Sequence, residues 1–313
     1  MSNSTTISPR PGRDLRVVEQ FLHDELLESL PSHYDRAALL QAEMATYVIH
    51  QTVTYDYSRP VRDLSQRLVI LPRFRHGDQR RAAYRFDVRT HGDDMVGAAR
   101  VATRADRFGN TVVHANVPAI EQTIEFRTRA VLVRAPAVAR AAPWTSTAPS
   151  ITRMTNPDAA IEAAARSVER VRDVFETADA ISDLVRSSFE YAHDVTTVRT
   201  TAAQAWQLRR GVCQDMAHVM IAMCSTLGIC ARYVSGHLLG DGASHAWVEV
   251  YDPNRQQVVA IDPTHRRRTD LRYVTTAVGR DYRDVAPTSG SYHGHGSHGT
   301  LHVDKRIRLA ELG

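Results

Sequence analysis

The sequence predicts an α+β protein in which an antiparallel β-rich domain precedes a domain of helices and then strands. Three observations carry this. Between about 46 and 134, β-branched and aromatic runs alternate with short turn clusters. From 158 onward, apolar residues recur at helical spacing, and after Gly228 the chain returns to short β-branched runs. At 313 residues there is room for two domains, and 43% apolar with 24% charged residues is the composition of an ordinary globular protein with a sizeable core.

Residues 1 to about 12 are polar, with Pro9, Pro11 and Gly12, and are expected to be a disordered leader. Leu15, Val18, Phe21, Leu22 and Leu26 then predict a short amphipathic helix that Pro31 ends, so 1–40 is an extension that is partly helical. The β-rich domain spans 41–136. Its strands are expected near 47–57, 67–71, 84–89, 111–116 and 124–133, with turns at His76-Gly77-Asp78, His91-Gly92-Asp93-Asp94 and Phe108-Gly109-Asn110. A sandwich-like arrangement follows from several short strands at this spacing. Residues 137–156 read as a linker, and 157–313 as the second domain. Asn156-Pro157 predicts a helix start, with helices over about 158–171 and 178–193. Cys213 to Leu227 has helical spacing and stops at Gly228, and strands are expected at 231–236, 245–251 and 258–261.

Composition narrows the function classes. The formal net charge is only +4, and Lys305 is the single lysine, every other fixed cation being arginine. No basic run is interleaved with stacking aromatics, so a nucleic-acid partner is not expected. The first residues hold no apolar signal region, and no run approaches the ~18 apolar residues of a membrane span. A cytoplasmic location without a membrane partner is the expectation, and three cysteines agree with a reducing compartment.

The chemistry gathers at three residues. Cys213 stands in Gly211-Val212-Cys213-Gln214-Asp215, where the helical pattern begins, and the positive end of a helix dipole favours thiolate there. His245 opens the strand Ser244-His245-Ala246-Trp247-Val248-Glu249-Val250. Asp262 closes the next strand, in Ile261-Asp262-Pro263-Thr264, where Pro263 stops pairing. Adjacent antiparallel strands can set a histidine at the start of one beside an aspartate at the end of the other. The carboxylate then fixes the imidazole tautomer while the other ring nitrogen faces the thiol.

Four segments together, 211–218 (Gly-Val-Cys-Gln-Asp-Met-Ala-His), 231–236 (Ala-Arg-Tyr-Val-Ser-Gly), 244–251 (Ser-His-Ala-Trp-Val-Glu-Val-Tyr) and 261–264 (Ile-Asp-Pro-Thr), resemble the transglutaminase-like superfamily in its bacterial branch. The segment 279–287 and the β-rich region, with Tyr57-Ser58-Arg59-Pro60 and Asp106-Arg107-Phe108-Gly109-Asn110, are similar to the corresponding parts of that branch. The resemblance runs from about 46 onward and leaves 1–40 outside. It implies a papain-like, transglutaminase-like catalytic core with Cys213 as nucleophile, His245 as general base and acid, and Asp262 as orienting carboxylate. One oxyanion donor would be the Cys213 backbone N–H. Gln207 is a candidate for the second.

Other residues are assigned more modest parts. Cys224 and Cys230 form no CxxC pair and are expected to be buried thiols. His218 is expected to pack beneath the site, and Asp215 to serve the first helical turn. Tyr233, Trp247 and Arg280 are candidates for the substrate cleft, Arg280 and Asp281 alternatively for a local ion pair. The histidines of 292–302 could ligate a cation, but the glycine-rich setting argues for a loop between two strands, and neither metal nor cofactor is expected. The expected chemistry is acyl transfer from a peptide-like amide or an acyl substrate through a thioester on Cys213. Water as acceptor gives an amidase or peptidase, the favoured outcome because Gln214 and Asp215, not aromatics, follow the cysteine. An amine acceptor gives a transamidating acyltransferase, and a relic triad would leave a binding module. Oligomeric state is not legible.

Overall fold

The protein, described as a computed structural model, is defined at residues 3–6, 30, 34–91, 99–136, 144, 149–169, 171–240 and 244–313. It divides into two compact units: 1–139 with 238–243 and 286–313, and 140–237 with 244–285. The helix expected over 14–30 and most of the expected linker lie outside the described residues.

The first unit begins with β1 (Asn3–Thr6), α1 (Arg36–Gln41), β2 (Ala45–Tyr57), β3 (Val61–Leu71), β4 (Arg75–His76), β5 (Gln79–His91), β6 (Arg100–Ala105), β7 (Thr111–Ile120) and β8 (Thr123–Arg134). The second contains α2 (Ala159–Ser167), α3 (Val174–Ser188), β9 (Glu190–Tyr191), α4 (Ala202–Leu208), β10 (Arg210–Gly211), α5 (Cys213–Thr226), β11 (Cys230–Leu238), β12 (Ser244–Asp252), β13 (Gln257–Asp262), β14 (Arg267–Arg268), β15 (Tyr273–Gly279) and α6 (Tyr282–Val285). The chain then returns to the first unit with β16 (Thr288–His293) and β17 (Gly299–Leu312).

Two sheets make the first unit, one ordered β1-β5-β8-β2-β17 with β4 on β5, the other β16-β3-β7-β6. Every pairing in both is antiparallel. Their inner faces share one core: Val53, Phe86, Val88 and Phe126 from the first sheet meet Leu64, Leu68, Val113 and Val117 from the second. Alternation along the strands builds this sandwich, because inward residues at every second position come from both sheets. Mixed α+β architecture and an antiparallel N-terminal part are as expected.

Four expectations differ. The leader was expected to be disordered, yet Asn3–Thr6 pairs with β5. The domain drawn as 157–313 loses its end, since β16 pairs with β3 and β17 with β2 over nearly the whole strand. The helix start expected at Asn156 falls at Asp158, whose carboxylate accepts the Ile161 N–H at 2.9 Å. Asp173 caps α3 in the same manner, accepting from Phe175 and Glu176, so that helix begins earlier than the apolar pattern suggested.

In the second unit, α5 is the central element. From Asp215 to Cys224 every residue is buried, as a helix apolar on all sides requires. It packs against α2, α3, α4 and β12. The accompanying sheet runs β14-β13-β12-β11-β15, with β11, β12, β13 and β14 successively antiparallel.

Candidate active site

Cys213 is the first residue of α5, preceded by Val212 in extended conformation. Its backbone N–H is among the amides at a helix start that have no intrahelical acceptor. The turn before it is secured by Asp215, whose carboxylate accepts the Val212 N–H at 2.9 Å and the Thr196 hydroxyl at 2.7 Å. Gly211 is needed there, because a Cβ on it would stand 2.5 Å from Asp215 Oδ2. Asp215 is thus a buried helix-start carboxylate, as its position in the first turn suggested. Burial raises its affinity for a proton, and these hydrogen bonds oppose that.

His245 and Asp262 meet through the register of β12 and β13. Val248 pairs with Ile261, so one step further Trp247 stands beside Asp262, and His245 lies diagonally across on the same face. His245 Nε2 is 2.8 Å from Asp262 Oδ2, with side-chain exposures of 3% and 0%. Cys213 is close enough to His245 for its side chain and its charge to raise the proton affinity of the imidazole. The structure brings the three sequence-predicted residues together in the second unit.

Electrostatics bind the group together. Burial disfavours imidazolium at His245, but the hydrogen bonds to Asp262 and Cys213 and their charges outweigh it, so its proton is held well above the ordinary histidine range. Burial likewise works against the Asp262 carboxylate. Donors from His245, His265 and Tyr273 overcome that and hold it well below the ordinary carboxylate range. The arrangement can keep a proton on His245 next to a sulfur, which is what a thiolate–imidazolium pair requires.

Two of those donors escaped the sequence reading. His265 Nδ1 lies 2.7 Å from Asp262 Oδ2, and the Tyr273 hydroxyl donates to the same oxygen at 2.6 Å. Arg267 Nε donates to that hydroxyl at 2.7 Å. The Thr264 and His265 N–H groups donate to Oδ1 at 2.8 and 3.3 Å, an aspartate-anchored turn just after Pro263. The only signal was the Asp-Pro-Thr-His run itself, since an aspartate before a turn commonly binds the backbone two or three residues on.

The remaining candidates separate. Trp247 and Tyr233 have exposures of 1% and 2%, which makes them packing residues of the core and not surfaces open to substrate. Trp247 meets Tyr273 edge-on at 5.4 Å and Tyr233 lies 5.1 Å from the His218 ring. Gly236, paired with His245, admits the indole: a Cβ would stand 2.4 Å from Trp247 and 2.1 Å from the Val274 carbonyl oxygen. Arg280 forms a double contact with Asp284, Nε at 2.8 Å and Nη2 at 3.1 Å, an ion pair with a different partner from the Asp281 expected. Gln207 is exposed on α4, which packs against α5. His218 is fully buried, and the Tyr282 N–H donates to its Nε2 at 3.1 Å. Burial pushes its pKa down to about 4 against the opposing charge of Asp281.

Cys224 and Cys230 are buried while Cys213 is half-buried. Burial raises both of the former, Cys224 to about 12. Ligand atoms of His245, Asp262 and His265 lie within 4.8 Å of one another and are the residues that could hold a cation among those described. Their mutual hydrogen bonds already account for that closeness. In the histidine-rich segment, His293 and His302 face different carboxylates, Asp63 and Asp56, each at 3.5 Å. Among the described residues no helix is long and apolar enough to cross a membrane.

Comparison with known proteins bears on the family and the fold. Residues 161–263 match the family model of the transglutaminase-like superfamily, and 47–133 that of the bacterial transglutaminase-like N-terminal region. An uncharacterized protein of Mycobacterium tuberculosis is 35% identical over 147 residues, 42% of this chain and 47% of that protein. One from Mycobacterium leprae is 36% identical over 135 residues, with 40% and 47% covered. The chain therefore spans about half the length of the curated relatives it matches. Among solved structures, a "Putative Cysteine Protease from Cytophaga hutchinsonii" aligns with a TM-score of 0.67 and 21% identity, covering 86% of this chain and 92% of that one. At that identity the likeness speaks for a shared fold. The chain carries a transglutaminase-like superfamily core joined to a bacterial transglutaminase-like N-terminal region.

Proposed function

We propose that the protein is a cysteine-nucleophile amide hydrolase acting on peptide-like substrates, with Cys213 as nucleophile, His245 as general base and acid, and Asp262 as orienter. The single observation that carries this is the buried His245–Asp262 pair, 2.8 Å apart, with Cys213 near enough to act on the His245 proton. The description of the Cytophaga hutchinsonii protein as a "Putative Cysteine Protease" supports the same class.

The Cys213 thiolate adds to the amide carbonyl carbon, and the oxyanion is received by the Cys213 backbone N–H and a second donor, for which Gln207 is the candidate. As the tetrahedral intermediate collapses, the C–N bond breaks and His245 gives its proton to the leaving amine. A thioester remains. Water then adds to it, His245 takes the water's proton, and the C–S bond breaks to release the acid. Asp262, kept ionised by its donors, holds the imidazole in one tautomer throughout.

The test is incubation with peptide and isopeptide libraries, read by mass spectrometry, beside Cys213→Ala. Hydrolysis products that vanish in C213A are expected, with a loss of about a thousandfold or more. No Cys213-dependent product, despite a Cys213 thiol that alkylates, overturns the hydrolase assignment. Added amines that capture the acyl group in preference to water mean transamidation instead, the alternative acceptor for the same thioester.

A further inference from the structure

The carboxylate that faces His245 is shared. Asp262 Oδ2 accepts from His245 Nε2 at 2.8 Å, from His265 Nδ1 at 2.7 Å and from the Tyr273 hydroxyl at 2.6 Å. The His265 side chain is 36% exposed, against 3% for His245. The two imidazoles stand 5.2 Å apart between centroids, tilted by 58°. A solvent-facing imidazole thus touches the same oxygen as the buried one.

We propose that His265 is a positioning residue for the His245–Asp262 pair, anchoring the carboxylate so that Oδ2 addresses His245. The inference rests on the nucleophile assignment made above. An aspartate at a strand end has two side-chain torsions to fix. His265 restrains both, because its ring donates to Oδ2 while its backbone N–H donates to Oδ1 at 3.3 Å. The contact requires the proton on Nδ1, which neutral and cationic forms of the ring can both supply. Sharing has a further effect. Each donor draws electron density from Oδ2, so His265 and Tyr273 moderate the hold of Asp262 on the His245 proton. Removing His265 leaves that hold stronger and less well aimed.

The variants follow from where the donor stands. His265→Asn keeps an amide donor close to the position of Nδ1, whereas His265→Gln carries its donor one methylene further out. On the full chain, the rate of Cys213 alkylation by iodoacetamide is measured against pH, with the low-field His245 ring N–H followed by proton NMR. H265Q is expected to alkylate Cys213 about tenfold more slowly at neutral pH, with the alkaline limb of its profile raised by about half a pH unit. H265N is expected to stay within about threefold of the unaltered protein. Equal rates and limbs in H265Q and the unaltered protein overturn the proposal, as does H265N behaving like H265Q. The two inferences fail separately. Absence of any preference for Cys213 in the unaltered protein defeats the nucleophile assignment alone. The His245 resonance still decides for His265: displaced in H265Q and retained in H265N supports it, unmoved in both defeats it.

Discussion

Cys213, Cys224 and Cys230 share a side chain but not a setting. Cys224 and Cys230 are buried, whereas Cys213 is half-buried, heads a helix and raises the proton affinity of His245. Gly236 is the least obvious contributor, because it carries no side chain and yet leaves the room into which Trp247 packs. With a Cβ, it would meet the Val274 carbonyl oxygen at 2.1 Å and the indole at 2.4 Å, neither of which can yield cheaply. Gly236→Ala is expected to destabilise the second unit by about 3 kcal/mol or more. Urea unfolding followed by Trp fluorescence checks this, and an unchanged midpoint would sink the packing argument. Cys213, His245 and Asp262 were legible in the sequence because each sits inside a motif at a helix start or strand end. His265 and Tyr273 were not, since nothing in local spacing marks a side chain that reaches across to another element's carboxylate.

At the level of elements, legibility followed periodicity. Strands β2, β7 and β8 and helix α5 carry patterns strong enough to be placed within a few residues. β16 is Thr-Ser-Gly-Ser-Tyr-His, which reads as a turn cluster until a partner strand pairs with it. β6 is mostly exposed and shows no apolar alternation. β17 hides behind charged residues for a different reason. It is the last strand of its sheet, and Leu301 and Val303 are 44% and 46% exposed along it. A long edge strand with exposed aliphatics invites pairing with another chain, and an inward charge is a common guard. Lys305, the only lysine, sits in the middle of this strand, half-buried, with burial lowering its pKa to about 8. Lys305→Val is expected to raise strand propensity by up to ~1 kcal/mol while increasing self-association at neutral pH. Sedimentation velocity reads this directly, and identical profiles for both proteins would remove the guard role.

Over the whole molecule, two histidines set opposing pH limits on the second unit. His218 is buried and neutral, with its pKa depressed to about 4. Its contribution is therefore present above the unfolded histidine range near 6.5 and is lost as pH falls from there through 4, a matter of ~3 kcal/mol. His245 has the opposite sign. Its pKa is raised to about 10, so its contribution is full below about 6.5 and is lost as pH rises through 10. Thermal melting of the second unit is expected to peak near neutrality and fall on both sides. His218→Gln, which keeps an acceptor for the Tyr282 N–H, is expected to flatten the acid side, and His245→Gln the alkaline side. Melts at about pH 4.5, 6.5 and 9 compare them, and an acid side equally steep in H218Q would show that another group governs it.

The return of β16 and β17 to the first unit also bears on how the protein is made. β2 is translated before the second unit, but the strand that covers its other edge, β17, is translated after it. The whole second unit is translated in between, and it can collapse around α5 while the first sheet still lacks a member. Any nascent chain released after Val285 would carry a finished second unit beside bare edges on β2 and β3. Unpaired edges of that kind are what proteases and aggregation act upon. Completion of the first unit thus waits on segments translated after the whole of the second.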